Sequence, residues 1–230
     1  MEFLVEGWIN VLLALVLISG AFIVTRRDLL ALVSTYSIQS FLISAVALSL
    51  YLIEKHNVLL YLAILTVASK SLLIPYFIRT IQRKMRIRRD LEFHYITPII
   101  SIFVTLILTL VAYICLSKAL TASSAQNDFY LGAVLGVSLA LMGMMVIFSR
   151  RKVITKIVGY LMMENGVLLF GMFLTELPFI VEAMIVIDLI ILVLIAAILA
   201  VGMDASIEEF QARLNVAHKW FTQEKEDDEI

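Results

Sequence analysis

The chain has 230 residues, of which 62% are apolar and only 16% charged, with a formal net charge of −1. Soluble domains run at about 45–50% apolar and about 25% charged, and a domain of this size needs a polar surface that this composition cannot supply, so a water-soluble fold is excluded and a polytopic membrane protein is expected. A single cysteine, Cys115, and three histidines outside the apolar runs, His56, His94 and His218, exclude an internal disulfide, a cysteine-ligated metal site and an intramembrane bis-histidine haem, and the near-neutral charge gives no nucleic-acid surface.

Seven apolar stretches are long enough to cross a bilayer: 8–25, 29–53, 58–78, 97–116, 130–148, 153–174 and 179–203. Each holds roughly 18–25 residues, the length that covers a hydrocarbon core of about 30 Å at about 1.5 Å per residue. Backbone groups in lipid must be paired within their own segment, so the stretches are expected to be helices. The first is preceded by Glu2 and Glu6 and followed by Arg26-Arg27, which reads as a span rather than a cleaved leader. The second carries Ser37 and Gln39. The third carries Lys70, with Pro75 one turn beyond, which reads either as a kink that frees a carbonyl or as an ordinary helix-end proline.

A strongly basic loop follows the third span, with Arg79, Arg83, Lys84, Arg86, Arg88 and Arg89. The fourth span contains no charge. Arg150, Arg151, Lys152 and Lys156 lie between the fifth span and the start of the sixth, which holds Glu164. The seventh holds Glu182 towards its beginning and Asp188 near its middle. Basic residues thus follow spans one, three, five and seven, while the opposite loops carry only Lys55 and Lys118. The positive-inside rule then puts the N-terminus outside and the C-terminus in the cytoplasm. Beyond the spans, Ser206 and Glu209 form a capping box, and Ile207, Phe210, Leu214, Ala217 and Phe221 recur at spacings of three and four. This predicts a cytoplasmic amphipathic helix, followed by the mostly acidic segment Glu224–Glu229, over 204–230.

Thr25-Arg26-Arg27 and Ser149-Arg150-Arg151 each close one span and open the next, and the same offset aligns Tyr36 with Tyr160. This pattern predicts a three-helix repeat over 1–95, a linker span over 96–128 and a second three-helix repeat over 129–203; the alternative is that any seven-helix chain splits three, one and three without a repeat. Three helices reverse the side of the membrane, so a parallel second copy needs the one extra crossing.

Lys70 lies twelve residues after Val58, Glu164 eleven after Val153 and Asp188 nine after Phe179. These offsets correspond to depths of about 14–18 Å, close to the bilayer centre. An ionisable group there costs about 2.5–3.5 kcal/mol even on the lenient insertion scale. Two readings of the three groups stand side by side: a proton or electrostatic relay, with Glu182 and Gln39 as further members, and a structural brace in which Lys70 pairs with an acid.

The run Arg26-Arg27-Asp28-Leu29-Leu30, the polar second span and Tyr61-Leu62-Ala63-Ile64 leading to Lys70 resemble the three-helix K subunit of respiratory complex I and its relatives in multi-subunit cation/proton antiporters. The duplicated form, with Gly159-Tyr160-Leu161-Met162-Met163-Glu164-Asn165-Gly166 in the sixth span, resembles hydrogenase-4 component E, a membrane subunit of group 4 [NiFe]-hydrogenase and formate hydrogenlyase complexes. The resemblance covers about 8–204. It implies a multi-pass subunit of a prokaryotic cell membrane, not catalytic alone and without a cofactor of its own, beside antiporter-like neighbours. The NiFe centre and iron–sulfur clusters would sit in partner subunits, with a peripheral hydrogenase arm reached through the C-terminal helix. The K-type family carries one glutamate in its second helix and one in its third; here the matching positions of the first repeat hold Ser37 and Lys70. The remaining alternatives are a scaffold between antiporter-like subunits, the equivalent antiporter subunit, and a self-standing transporter.

Overall fold

The computed structural model describes residues 2–26, 28–84, 98–120, 127–150, 153–174, 187–188 and 190–191. All regular structure among these residues is helical: α1 (Glu2–Thr25), α2 (Leu29–Glu54), α3 (Asn57–Thr66), a π-helical segment (Val67–Leu73), α4 (Ile74–Lys84), α5 (Pro98–Leu120), α6 (Asn127–Ser149) and α7 (Val153–Leu174). Six of the expected seven spans lie here as helices long and apolar enough to cross a membrane. Of the seventh, 179–203, only Ile187, Asp188, Ile190 and Ile191 are described. Glu182, the basic stretch beyond Lys84 and the C-terminal amphipathic segment lie outside the described residues.

The helix boundaries follow local chemistry. Asp28 sits in extended backbone before α2, and Lys55 ends that helix in the left-handed region (φ 56°), its N–H bonded to the Tyr51 carbonyl at 2.8 Å. That conformation lets two residues, Lys55 and His56, reverse the chain into α3. The third span is longer than expected: α3, the π segment and α4 form one continuous rod to Lys84, six residues past the predicted end.

Helices α1, α2, α6 and α7 form the centre. α3 and the π segment pack against α2, with Lys70 of the π segment reaching Glu164 of α7, and α5 lies along α1 and α6. α1 and α6 run in the same direction. Gly20 faces Leu139 and Met142, while Arg150, just past α6, reaches the carbonyls of Ile23, Val24 and Arg26 at the end of α1. Since α2 starts where α1 ends and α7 where α6 ends, α2 and α7 also start together.

α6 and α7 approach closest. Cβ atoms at Gly136, Gly143 and Gly166 would fall well inside 3.0 Å of backbone atoms of Phe170, Met163 and Ala140 respectively. Only glycine allows this backbone-to-backbone packing, the small-residue device by which helices associate where lipid is as apolar as leucine. The centre is lined by Leu13, Ile23, Leu32, Ile43, Leu139, Leu161 and Leu169. The exterior is equally apolar, as at Leu106, Phe148 and Phe103. The polar residues are the inward ones: Gln39, Ser40, Lys70, Glu164 and Asn165 are all buried.

Arg150, one of the basic residues between the fifth and sixth spans, has a fully buried side chain, and its guanidinium donates to the last carbonyls of α1, at 3.1 Å to Val24 and 3.3 Å to Ile23. A helix C-terminus leaves carbonyls unsatisfied and carries partial negative charge, so a planar cation fits there. The tyrosines aligned by the repeat also differ: Tyr36 is fully buried, whereas Tyr160 is about one third exposed.

Candidate functional site: a buried lysine between two carboxylates

The rod of the third span changes its winding where its charge lies. Ile74 donates its N–H to the Ser69 carbonyl, five residues back rather than four. Such π turns are uncommon inside α-helices and concentrate at functional positions. Pro75 lacks an N–H, and the carbonyl of Ser71, four residues before it, takes its hydrogen bond from another helix: Ser37 Oγ donates to it at 2.6 Å. In return Ser71 Oγ donates to the Ser37 carbonyl at 3.2 Å. The expected liberation of a carbonyl by Pro75 therefore occurs, and Ser37 of the polar second span satisfies it.

The widened turn directs Ser69 and Lys70 to one side. Lys70 Nζ stands 2.9 Å from Glu164 Oε1 and 3.8 Å from Asp188 Oδ1. Ser69 Oγ donates to Asp188 Oδ2 at 3.1 Å. Lys70 and Glu164 are 2% and 4% exposed, and the Asp188 side chain 11%. The Lys70–Glu164 contact is a buried ion pair, and Glu164 Oε2 has no donor among the described residues. The cluster thus holds two acids and one base in a region that binds charge poorly.

All three residues expected at mid-membrane depth come together, from three separate stretches of the chain. Gln39 is fully buried on α2, but neither end of its amide has a hydrogen-bond partner among the described residues. It is not joined to the cluster by direct bonds. Glu182 lies outside the described residues. Ser37 meets Ser71 rather than an ionisable group.

Four neighbours were not foreseen. Asn165, next to Glu164, donates from Nδ2 to Ser40 Oγ at 2.9 Å, a fully buried tie between α7 and α2. Tyr36, one turn before Ser40 on α2, is fully buried. Ser69 fixes Asp188. The available signal was the coincidence of Ser, Asn and Tyr at the depth of the charges, since hydroxyls and amides in spans hydrogen-bond across helices. Among the described residues, no three His, Cys, Asp or Glu side chains gather as metal ligands.

No family model, curated protein or solved structure matches the chain.

Proposed function

We propose that the chain is a non-redox membrane subunit of a complex I-like, ion-translocating complex of hydrogenase or formate hydrogenlyase type, built as two parallel three-helix repeats around a linker span. In this reading it continues a lateral proton path between antiporter-like neighbours, and electrons travel through cofactors held by partner subunits. The observation that carries the reading is the Lys70–Glu164–Asp188 cluster, with Lys70 Nζ at 2.9 and 3.8 Å from the two carboxylates. With two acids on one base, a proton arriving on either carboxyl neutralises the cluster, and its departure restores the negative charge. Lys70 holds both carboxylates, so the charge on one is felt by the other. The N-terminus outside and C-terminus inside belong to the same proposal. They predict that cysteines placed at Asn57 and Thr80 label from opposite sides of the membrane.

The deciding experiment is Glu164→Gln in the intact complex, with complex yield, redox turnover and proton translocation in proteoliposomes measured together. Size and hydrogen-bonding capacity persist while the titrating group goes. Pumping per electron should fall with assembly unchanged. Wild-type pumping per electron in a normally assembled variant ends the relay reading.

A second reading is favoured by the same short ion pair and by the Ser69–Asp188 bond: the cluster braces a scaffold between antiporter-like subunits. It predicts that pumping and redox turnover fall together with the amount of complex recovered. Purification in mild detergent separates both from the antiporter-subunit and self-standing transporter alternatives. Co-purifying redox subunits support a hydrogenase-type complex, redox-free antiporter subunits support the antiporter assembly, and a lone, active protein supports a transporter.

A further inference from the structure

A groove of about 320 Å³ opens on the outer surface between the end of α6, the first half of α7 and Ile187, Ile190 and Ile191. Its walls are Ile147, Ile157, Ile187, Ile190 and Ile191, with Tyr160 and Lys156 as its polar members. The volume falls in the range of small-molecule sites. Lys156 lies three residues into α7, about 4–5 Å from the helix start, next to the turn holding Arg151 and Lys152 in the sequence. It is exposed and makes no ion pair with any described residue. Ile187 directly precedes Asp188 in sequence, so the groove extends from the basic start of α7 to the segment that holds one member of the charge cluster.

We propose that this groove binds one anionic phospholipid, its phosphate on Lys156 and an acyl chain along the isoleucine wall. Two features carry the assignment. The groove suits such a lipid: Lys156, unpaired among the described residues, stands near the start of α7, Tyr160 lies one turn deeper, and the other described walls are branched aliphatic side chains. It also runs beside α7 from Lys156 to Tyr160, along the axis of a helix long and apolar enough to span a membrane, the direction in which an acyl chain packs. Basic pockets between spans are the sites at which acidic headgroups are held, and a lysine near a helix end extends its ammonium towards the interface. The bound chain would cover the lipid-facing side of the segment that carries Asp188, the most exposed member of the cluster. This assignment stands independently of the translocation proposal, because it concerns binding alone.

Brominated lipids test it on the full-length chain reconstituted in phosphatidylcholine vesicles. Trp8 and Trp220 are replaced by Phe, and a single reporter is placed by Tyr160→Trp or, separately, Ile190→Trp in the groove. Leu106→Trp on the exposed face of α5 is the control. Brominated phosphatidylglycerol should quench either groove reporter with about fivefold higher relative affinity than brominated phosphatidylcholine, the weight of one cation at a membrane surface. The preference should vanish in Lys156→Gln, persist in Lys156→Arg and be missing at residue 106. Equal quenching by the two lipids in the groove, an equal preference at residue 106, or a preference that survives Lys156→Gln overturns the proposal. Protection of both groove reporters from either lipid overturns it too, because a protein segment then fills the groove.

Discussion

Lys70 Nζ and Glu164 Oε1 meet at 2.9 Å with both side chains almost fully buried, and the contact joins the π-helical turn of the third span to the middle of α7. An ion pair in this setting gains little over a well-packed apolar pair, but breaking one partner leaves an uncompensated charge. The two mutational directions are therefore unequal.

Lys70→Met should destabilise the detergent-solubilised protein by about 3–5 kcal/mol, because it leaves two carboxylates facing each other in an apolar core. Adding Glu164→Gln should recover part of that loss, with Asp188 still served by Ser69. Thermal unfolding of the single and double variants measures this. If the double variant loses the sum of the single losses, the two residues do not act on each other.

Ser37→Ala removes the donor to the Ser71 carbonyl, which Pro75 cannot serve. A loss of about 1–2 kcal/mol is expected. In a Pro75→Ala background the new N–H can take that carbonyl, so the same Ser37→Ala change should cost about 1 kcal/mol less. A double-mutant cycle on unfolding midpoints reads the coupling; additivity would show that the hydroxyl and the proline act independently.

The contact of α6 with α7 depends on glycine at Gly143 and Gly166, where an added Cβ would meet the backbone of Met163 and Ala140. Gly143→Leu should separate the helices and lower the yield of folded protein sharply, and Gly166→Ala should destabilise by at least 1 kcal/mol. Gly7→Ala is the internal control: nothing lies within 4 Å of its added methyl, and alanine raises helix propensity, so stability should hold or rise slightly. Unfolding of the three variants in one detergent makes the comparison.

Arg150→Ala strips the donors from the last carbonyls of α1. About 1–3 kcal/mol should be lost, since Ile23 and Val24 are buried and have no water to turn to. Arg150→Lys should restore part of it, because an ammonium still complements the helix end but cannot fork across several carbonyls. A neutral Arg150→Ala would mean that this residue is only a charge at the membrane edge.

How much of this was written in the chain differs by feature. The six described spans follow from runs of apolar residues, since helix length and lipid thickness share one ruler. Depth followed as well: counting residues from the span starts put Lys70, Glu164 and Asp188 at one level, and the structure joins them there. Pro75 announced a freed carbonyl. Partner and direction were not legible. In a membrane both the buried and the lipid-facing surfaces of a helix are apolar, so no stripe marks which way a side chain points; Tyr36 and Tyr160 share a register and have opposite exposures. Arg150 resembles any other residue of a basic flank, and only the parallel packing of α1 against α6 places helix-end carbonyls beside it. The carbonyl that Pro75 frees takes its hydrogen bond from a hydroxyl of α2. The glycines of α6 and α7 become a contact surface only when the two helices face each other. The sequence by itself determined what crosses the membrane and at what depth its charges lie, because those quantities run along the chain. Rotation of each helix and choice of neighbour were left to tertiary packing, because the interhelical hydrogen bonds, ion pairs and backbone approaches that settle them exist only between segments.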